Sequence, residues 1–145
     1  MSDTASFFLE GWYVFDSFSP FQVEWRGKLY PTAEHAYQAA HFFDTAPEMA
    51  ENIRLQRSPH LASDVANQNS NLDDPQWSVR KLEIMEEICR CKLDQHEYIQ
   101  DTLSRAGDME IVEANPSDQF WGSGINGSGA NELGKIWMKL RSEII

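Results

Sequence analysis

The sequence predicts an α+β fold, in which a small and mostly antiparallel sheet is covered by several helices within a single domain of residues 1–145. Apolar and polar residues alternate over residues 21–25, which is the period of a half-buried strand. Helix-capping signals recur through the middle of the chain, and the C-terminal segment carries an apolar stripe at helical spacing. A chain of 145 residues can bury a sizeable core without disulfide or metal crosslinks.

The first thirty residues are aromatic and strand-like. Residues 12–15 form a short apolar run, and the alternation over residues 21–25 indicates a strand with one buried face. Residues 26–28 are typical of a turn. We therefore expect a β-hairpin whose second strand begins at residues 29–30.

Three helix starts follow the hairpin. Thr32 is a good N-cap for a helix that runs to about Phe43. Residues 45–48, Thr-Ala-Pro-Glu, match a capping box with a proline in the first turn. Ser58, followed by a proline, repeats the signal for a short third helix. Residues 67–74 are rich in Asn, Ser and Asp and are expected to form a loop.

The C-terminal half is predicted to contain three more helices and one strand. The longest helix covers residues 74–93, and another covers about residues 95–105 with Gly107 as its stop. A short strand is expected over residues 109–114, followed by a loop over residues 115–130. The last helix carries four apolar residues on one stripe, Leu133, Ile136, Trp137 and Leu140.

The composition excludes some classes of function. The formal net charge of -11 argues against tight, non-specific binding of duplex nucleic acid, although a local basic pocket for a phosphate is compatible with it. Cys89 and Cys91 would point about 200° apart on a helix and cannot pair with each other. Since no leader and no long apolar run are visible, we expect a reduced, cytoplasmic protein.

Lys81 lies on the apolar face predicted for the longest helix. Its neighbours on that face of the helical wheel are Trp77, Leu82, Ile84, Met85, Ile88, Cys89 and Cys91. A lysine on a buried face costs free energy unless it is paired or its head reaches water, and such a lysine can become a nucleophile because its pKa falls. The wheel alone leaves a structural and a functional lysine both open. Lys92 lies on the same arc, but near the helix end, where its head is expected to reach water.

Glu34 lies in the first turn of the helix that begins after Thr32. The helix dipole favours a carboxylate there, which is a sufficient structural reason for its presence. Glu34, Tyr37, Gln38 and His41 also fall at helical spacing on one polar stripe. The residues alone leave open whether this stripe is a functional surface.

Asp118 stands three residues before the pair Trp121-Gly122. This spacing would set a carboxylate beside an indole, and indole faces suit flat rings such as nucleobases and the apolar side of sugars. Trp121 is equally compatible with a place in the core.

Residues 122–127 match the pattern G-x-G-x-x-G. No βαβ unit follows, and the chain ends before a ribose-binding acid could occur, so a Rossmann site is excluded. A glycine-rich loop leading into a helix near Asn131 can still hold an anion through backbone N–H groups. A plain surface loop accounts for the same residues.

Metal and cofactor chemistry is not predicted. The four histidines, His35, His41, His60 and His96, do not form a metal-binding pattern, and the two cysteines lack partner ligands. Neither G-x-S-x-G nor a Walker A loop is present, which removes the commonest hydrolase and NTPase signals.

Several segments, in this order along the chain, resemble the NADAR, or YbiA-like, family. The matching residues are 15–20 (FDSFSP), 27–39 (GKLYPTAEHAYQA), 77–81 (WSVRK) with Met85, 107–108 with 111–114, 118–122 (DQFWG) with Gly124, and 131–135 (NELGK). The resemblance covers residues 12–141. The blocks P-T-x-E-H-x-Y-Q and D-x-x-W-G are its most specific parts.

The resemblance implies an N-glycosidase that hydrolyses the bond between ribose C1 and an amine-bearing base, with a phosphate on the ribose 5′ side. Two substrate classes are associated with the family: ribosylamino-pyrimidine intermediates of riboflavin synthesis and ADP-ribosylated guanine bases. The expected binding partner is such a small molecule or an ADP-ribosylated nucleic acid. Association with a membrane is not expected. An alternative is a module that binds ADP-ribose or a related nucleotide without cutting it.

The resemblance also implies roles for individual residues. Glu34 would be the acid/base or stabilising carboxylate, Asp118 a second carboxylate or a holder of ribose hydroxyls, and Lys81 a nucleophile that forms a Schiff base with C1. Trp121 would stack on the base. The remaining predicted substrate contacts are Phe18, Tyr37, Gln38, Gly122 and Asn131.

Two positions depart from the family pattern. Residues 66–67 are Ala-Asn where the family often has Gly-Arg, and Ser17 replaces the usual asparagine of the first block. If the family arginine grips a phosphate, another group must do so here. The candidates are Arg54, Arg57, Lys28 and the glycine-rich loop.

Overall fold

The computed structural model describes residues 4–7 and 11–144, so residues 1–3 and 8–10 of the predicted strand-rich start lie outside it, as does residue 145. It confirms the α+β class. The described residues group into two compact units, Met1–Asp16 with His96–Ile145 (the terminal unit) and Ser17–Gln95 (the central unit). Within the described ranges, no helix is long and apolar enough to cross a membrane.

The strands form two small sheets rather than one. In the central unit, β2 (Val23–Trp25) pairs antiparallel with β3 (Lys28–Tyr30), which confirms the predicted hairpin. In the terminal unit, β1 (Thr4–Ser6) pairs parallel with β4 (Glu110–Val112). The expectation of a mostly antiparallel sheet therefore holds only for the central pair.

The backbone geometry of the hairpin turn accounts for the residues found in it. Arg26 and Gly27 connect the strands with φ of 50° and 82°, and two positive φ angles in a two-residue loop match the right-handed twist of the strands. On one side of the hairpin Val23, Trp25 and Tyr30 are buried. The Trp25 indole Nε1 donates to Glu87 Oε1 at 2.7 Å, which ties the hairpin to the longest helix.

The three predicted helix starts occur where expected, but one cap is different. The helices are α1 (Ala33–Ala40), α2 (Pro47–Arg54) and α3 (Pro59–Gln68). The side chains of Thr32 and Ser58 cap α1 and α3 as predicted, accepting from backbone N–H groups at 3.2 and 3.1 Å. The capping box at residues 45–48 is wrong, because the Thr45 hydroxyl instead donates to the Leu72 carbonyl.

The longest helix, α4 (Trp77–Gln95), buries most of the face that the wheel predicts, although Leu82 of that face is exposed. Met85 and Ile88 are buried, and Lys92 on the same face has no exposed surface. The expectation that Lys92 reaches water is wrong. Its ammonium donates to Ser19 Oγ at 2.8 Å and lies 5.5 Å from the ring centroid of Phe21, contacts from residues some seventy positions earlier.

The terminal unit is built on α5 (Glu97–Arg105) and α6 (Glu132–Glu143), with β4 beside α6. The four apolar residues of the predicted α6 stripe are all buried. Residues 12–15 are not a strand, since Tyr13–Phe15 forms a single 3-10 turn. Three-residue spacing puts Trp12 and Phe15 on one side, where their rings stack 6.3 Å apart, and Trp137 Nε1 donates to the Phe15 carbonyl at 2.9 Å.

Gly134 permits the close approach of α6 to β4. A Cβ at this position would lie 2.1 Å from the backbone oxygen of Ile111 and 2.5 Å from the Asn131 side chain. Because the nearest obstacle is strand backbone, it cannot move aside cheaply.

We therefore expect Gly134→Ala to lower the free energy of unfolding by about 2–4 kcal/mol, the range of overpacking with backbone displacement. Urea unfolding followed by circular dichroism measures it. Lys135→Ala, on the exposed side of the same helix turn, is the control and should stay within about 0.5 kcal/mol of the wild type. An equally mild effect of both substitutions would contradict the packing argument.

Candidate active site

Glu34 is a buried carboxyl group at the start of α1, with 7% of its surface exposed. Its Oε1 accepts a hydrogen bond from Ser17 Oγ at 2.8 Å, and its Oε2 accepts one from Gln38 Nε2 at 2.6 Å. The backbone N–H of Glu34 also donates to the Ser17 carbonyl at 3.0 Å. Ser17 and Gln38 therefore fix both the place and the rotation of the carboxyl group.

The partner of Glu34 is one of the two residues that depart from the family pattern. The Ser17 hydroxyl donates to Oε1 of Glu34, and the Ser17 carbonyl accepts from the N–H of the same residue. The sequence alone does not connect Ser17 with Glu34, because the two residues are 17 positions apart and the whole hairpin lies between them.

The predicted polar stripe is brought together on α1. Tyr37 and Gln38 are buried, and His41 directly follows the helix as its C-cap. The Tyr37 ring lies 5.3 Å from the ring of Trp77, and the His41 ring lies 4.0 Å from it. The stripe therefore packs against the first turn of α4.

Lys81 lies on α4 one turn after Trp77 and is half-buried. The wheel put Lys81 on the apolar face, and the structure places it at the partly exposed margin of that face, beside Leu82, which is 40% exposed. Its charge nevertheless acts on the stripe of α1. Burial is the main cause that lowers the pKa of His41, and the Lys81 ammonium lowers it further, against the opposing effect of Asp73.

Phe18 also belongs to the central unit. Its half-buried ring meets the edge of His60 on α3, with the centroids 4.8 Å apart. Next to Glu34, His35 is fully buried and bonds Thr32 Oγ1 and the Gln56 carbonyl through its two ring nitrogens. The chain around Gln56 is thereby bound to the first turn of α1.

The other predicted residues belong to the terminal unit, where Asp118 organises a turn. Its Oδ1 accepts from the backbone N–H groups of Phe120 and Trp121, at 3.0 and 2.8 Å. Trp121 is half-buried and meets the Phe120 ring edge-on at 4.7 Å. A structural role for Asp118 is therefore directly visible.

Gly122 and Asn131 also make structural contacts. The Asn131 side chain accepts from Glu113 N–H and donates to the Ile111 carbonyl, both at 3.0 Å, so it joins the start of α6 to β4. The N–H groups of residues 131–133 donate to the carbonyls of residues 120–122. Amides that are already bonded in this way are poorly placed to hold an anion.

The predicted phosphate-binding cations differ in their environment. Arg54 makes two hydrogen bonds to Glu51 and one to the Leu29 carbonyl, and Lys28 bonds the same glutamate at 3.1 Å. Arg57 is exposed and lies next to Gln56. Within the part of the chain that the structure describes, no group of three His, Cys, Asp or Glu residues could hold a metal ion.

Comparison with known proteins gives consistent results. The family model described as "NADAR domain" matches residues 2–145. N-glycosidase YbiA of Escherichia coli (strain K12) is 32% identical over 130 residues, which cover 90% of this chain and 80% of that protein. The riboflavin biosynthesis protein PYRR of Zea mays is 31% identical over 145 residues, which cover 91% of this chain but 23% of that protein.

A solved structure shares the fold. The NMR structure of the E. coli protein YbiA is similar with a TM-score of 0.88 and 30% identity, and the match covers 99% of this chain and 86% of that chain. Sequence motifs, family model and fold agree over nearly the whole length. The chain belongs to the NADAR family.

Proposed function

We propose that the protein is an N-glycosidase that hydrolyses the C1–N bond between a phosphorylated ribose and an amine-bearing base. The names of its relatives support this class of hydrolase. The observation that carries the proposal is the buried Glu34 carboxyl, oriented by Ser17 and Gln38. Such pre-oriented carboxyl groups are what glycosidic chemistry requires.

Glu34 has a defined task in this mechanism. As the C1–N bond loosens, positive charge spreads over C1 and the ring oxygen, and the leaving amine must gain a proton. A carboxyl group held on both oxygens stabilises that charge without reorganising, or activates the attacking water. Tyr37 and Gln38 line the same stripe and would contact the substrate beside it.

Lys81 is the proposed nucleophile. A ribosylamine opens to an imine at C1, and the Lys81 amine replaces the departing amine to form a Schiff base with the sugar, which water then hydrolyses. Support comes from its position one turn after Trp77, at the partly exposed margin of the face that packs against the polar stripe.

The substrate is proposed to be a ribosylamino-pyrimidine phosphate of the riboflavin pathway or an ADP-ribosylated guanine. The name of the relative from Zea mays supports the first class. The net charge of -11 favours a small molecule or a single nucleotide over an extended nucleic acid. Trp121 is half-buried, and its exposed part is proposed to stack on the base.

Arg57 is the proposed contact for the ribose phosphate. Of the three candidate cations, Arg54 and Lys28 both bind Glu51, while Arg57 is exposed. The bond from His35 to the Gln56 carbonyl supports this choice, because it holds the neighbouring chain against the residue that follows Glu34.

The first prediction concerns the reaction itself. The wild-type protein should release free base from ribose-5-phosphate adducts of the pyrimidine or from ADP-ribosylated guanosine. Glu34→Gln should lower the rate by about 10²–10⁴-fold, the usual value of an acid/base group. Chromatography of the products measures both.

The control is Glu48→Gln, in the first turn of α2, where the carboxylate is exposed and has the same relation to its helix. This variant should act like the wild type. Binding without release of base, unchanged by Glu34→Gln, would contradict the enzymatic proposal and favour a nucleotide-binding module.

The second prediction concerns Arg57. Arg57→Gln should raise KM for the 5′-phosphorylated substrate by about tenfold or more, because a charged hydrogen bond is lost, and should leave the dephosphorylated ribosylamine unaffected. Arg90→Gln, which removes a surface charge from α4, is the control. Equal effects of Arg57→Gln on both substrates would exclude a phosphate contact.

The third prediction separates two roles of Asp118. Asp118→Asn keeps an oxygen that accepts from residues 120 and 121 and should unfold like the wild type, whereas Asp118→Ala should lose about 1–2 kcal/mol of stability. If the carboxylate also holds ribose hydroxyls, as proposed, Asp118→Asn should raise KM. An unchanged kcat/KM in Asp118→Asn would leave Asp118 a purely structural residue.

A further inference from the structure

His41 has one ring nitrogen without a hydrogen-bond partner. Among the described residues, Nε2 of His41 is buried and makes no hydrogen bond. A buried polar atom left in this way costs about 1–3 kcal/mol, so its retention calls for a physical explanation. The residue directly follows the stripe of Glu34, Tyr37 and Gln38.

The other ring nitrogen fixes the tautomer. Nδ1 of His41 lies 3.1 Å from Asp73 Oδ1, and a carboxylate can only accept, so Nδ1 carries the hydrogen. The backbone N–H of Asp74 also donates to the His41 carbonyl at 2.9 Å, which joins the main chain beside Asp73 to residue 41. In the neutral ring, Nε2 therefore presents a lone pair.

Burial favours the neutral form of that ring. The His41 ring is packed against Trp77 and Tyr37, and burial lowers the pKa of His41 from its ordinary value. The charged groups around it are Asp73, Asp74 with its bound Arg80, and Lys81. The negative charge of Asp73 opposes the lowering, and the positive charge of Lys81 adds to it.

Lys81 lies on the same face of α4 as Trp77, which packs on the His41 ring. It follows Trp77 by four residues on α4, a spacing that puts their Cβ atoms about 5–6 Å apart on one helix face. The His41 ring lies 4.0 Å from the Trp77 ring. The imidazole thus packs on the side chain next to Lys81, and the long lysine stem can bring its nitrogen to a neighbouring acceptor.

We propose that His41 is a catalytic proton relay, with Asp73 as its positioning residue: Nε2 accepts a proton from the Lys81 nitrogen as that nitrogen bonds to C1. This inference rests on the proposed function and extends its mechanism to His41.

The exchange balances. The Lys81 ammonium brings three hydrogens to the imine of the opened substrate. When the C1–Nζ bond has formed and the C1–N bond to the base has broken, one hydrogen stays on the lysine imine and two are on the leaving amine. His41 takes the first of these two from the ammonium, which frees the lone pair that attacks C1, and delivers it to the nitrogen of the base. It then takes the second from the Lys81 nitrogen of the adduct and delivers it to the same departing nitrogen, so it ends neutral.

The test uses two variants that each change one member of the pair of His41 and Asp73. His41→Asn keeps an N–H near the position of Nδ1 for Asp73 but has nothing at Nε2. Asp73→Asn keeps the imidazole and its packing but can donate to Nδ1, which releases the tautomer. His96→Asn, at the N-cap of α5, is the matched control, because asparagine is favoured at that position.

The measurement is the rate of the Lys81–sugar adduct trapped by borohydride and located by peptide mass spectrometry, together with the rate of base release. His41→Asn should form the adduct about 100-fold more slowly with unchanged affinity for ribose 5-phosphate, and Asp73→Asn should lie between it and the wild type. In the wild type the rate should fall as the pH falls through the pKa of His41, which burial lowers from its ordinary value, because protonated imidazole has no lone pair. This acid limb should be absent in His41→Asn.

The outcomes are distinguishable. Adduct formation by His41→Asn within about threefold of the wild type, with the same acid limb, would overturn the relay and leave the proposed function intact. Base release by the wild type without a Lys81 adduct would also overturn the relay while the N-glycosidase proposal stands. Absence of base release from both substrate classes would overturn both.

A second measurement does not depend on the folding of any variant. Nitrogen NMR of the wild-type histidines, assigned by through-bond correlation of each ring to the backbone, reports the tautomer of His41 directly. The relay requires a hydrogen on Nδ1 and none on Nε2 at neutral pH. A hydrogen on Nε2 at that pH would overturn it.

Discussion

Every residue of α1 is buried, and this constraint governs the central unit. Three of its eight residues, Glu34, His35 and Gln38, are polar, so their hydrogen-bonding groups must find partners inside the protein rather than in water. Ser17 and Gln38 each donate a hydrogen bond to one oxygen of Glu34. The ring nitrogens of His35 are hydrogen-bonded to Thr32 and to the Gln56 carbonyl. A buried polar helix thereby becomes an oriented set of functional groups.

The same requirement extends beyond α1. Lys92 is as buried as any apolar residue of α4, and its ammonium bonds Ser19 in the segment that leads from Ser17 into the hairpin. Ser17 and Ser19 thus bind buried ionisable groups on two different helices, α1 and α4. A short loop that supplies hydroxyl groups to both helices explains why residues 17 and 19 are buried although they belong to no regular element.

In the terminal unit, the hydrogen-bonding groups of the glycine-rich loop find their partners in a different way. Backbone amides and the side chains of Asp118 and Asn131 bond the glycine-rich region internally, and Gly134 lets α6 approach β4. Among the glycines of this region, Gly122 and Gly129 lie where a Cβ would meet backbone oxygens, at 3.0 and 2.5 Å. This assigns the residues of the D-x-x-W-G block a structural role in addition to the substrate contacts that the resemblance implies.

The sequence by itself determined the features that depend on neighbours along the chain. The α+β class, the hairpin with its Arg26-Gly27 turn, the caps at Thr32 and Ser58 and the apolar stripe of α6 all follow from contacts within a few residues. The family also followed, because its motifs are local.

Tertiary structure decided what depends on distant partners. Lys92 is buried because Ser19 and Phe21 receive it, residues 12–15 form a 3-10 turn because their rings pack on each other and on Trp137, and the pairing of Asp73 with His41 joins residues 32 positions apart. A helical wheel reports which residues share a face, but only the chain packed against that face decides which of them are buried.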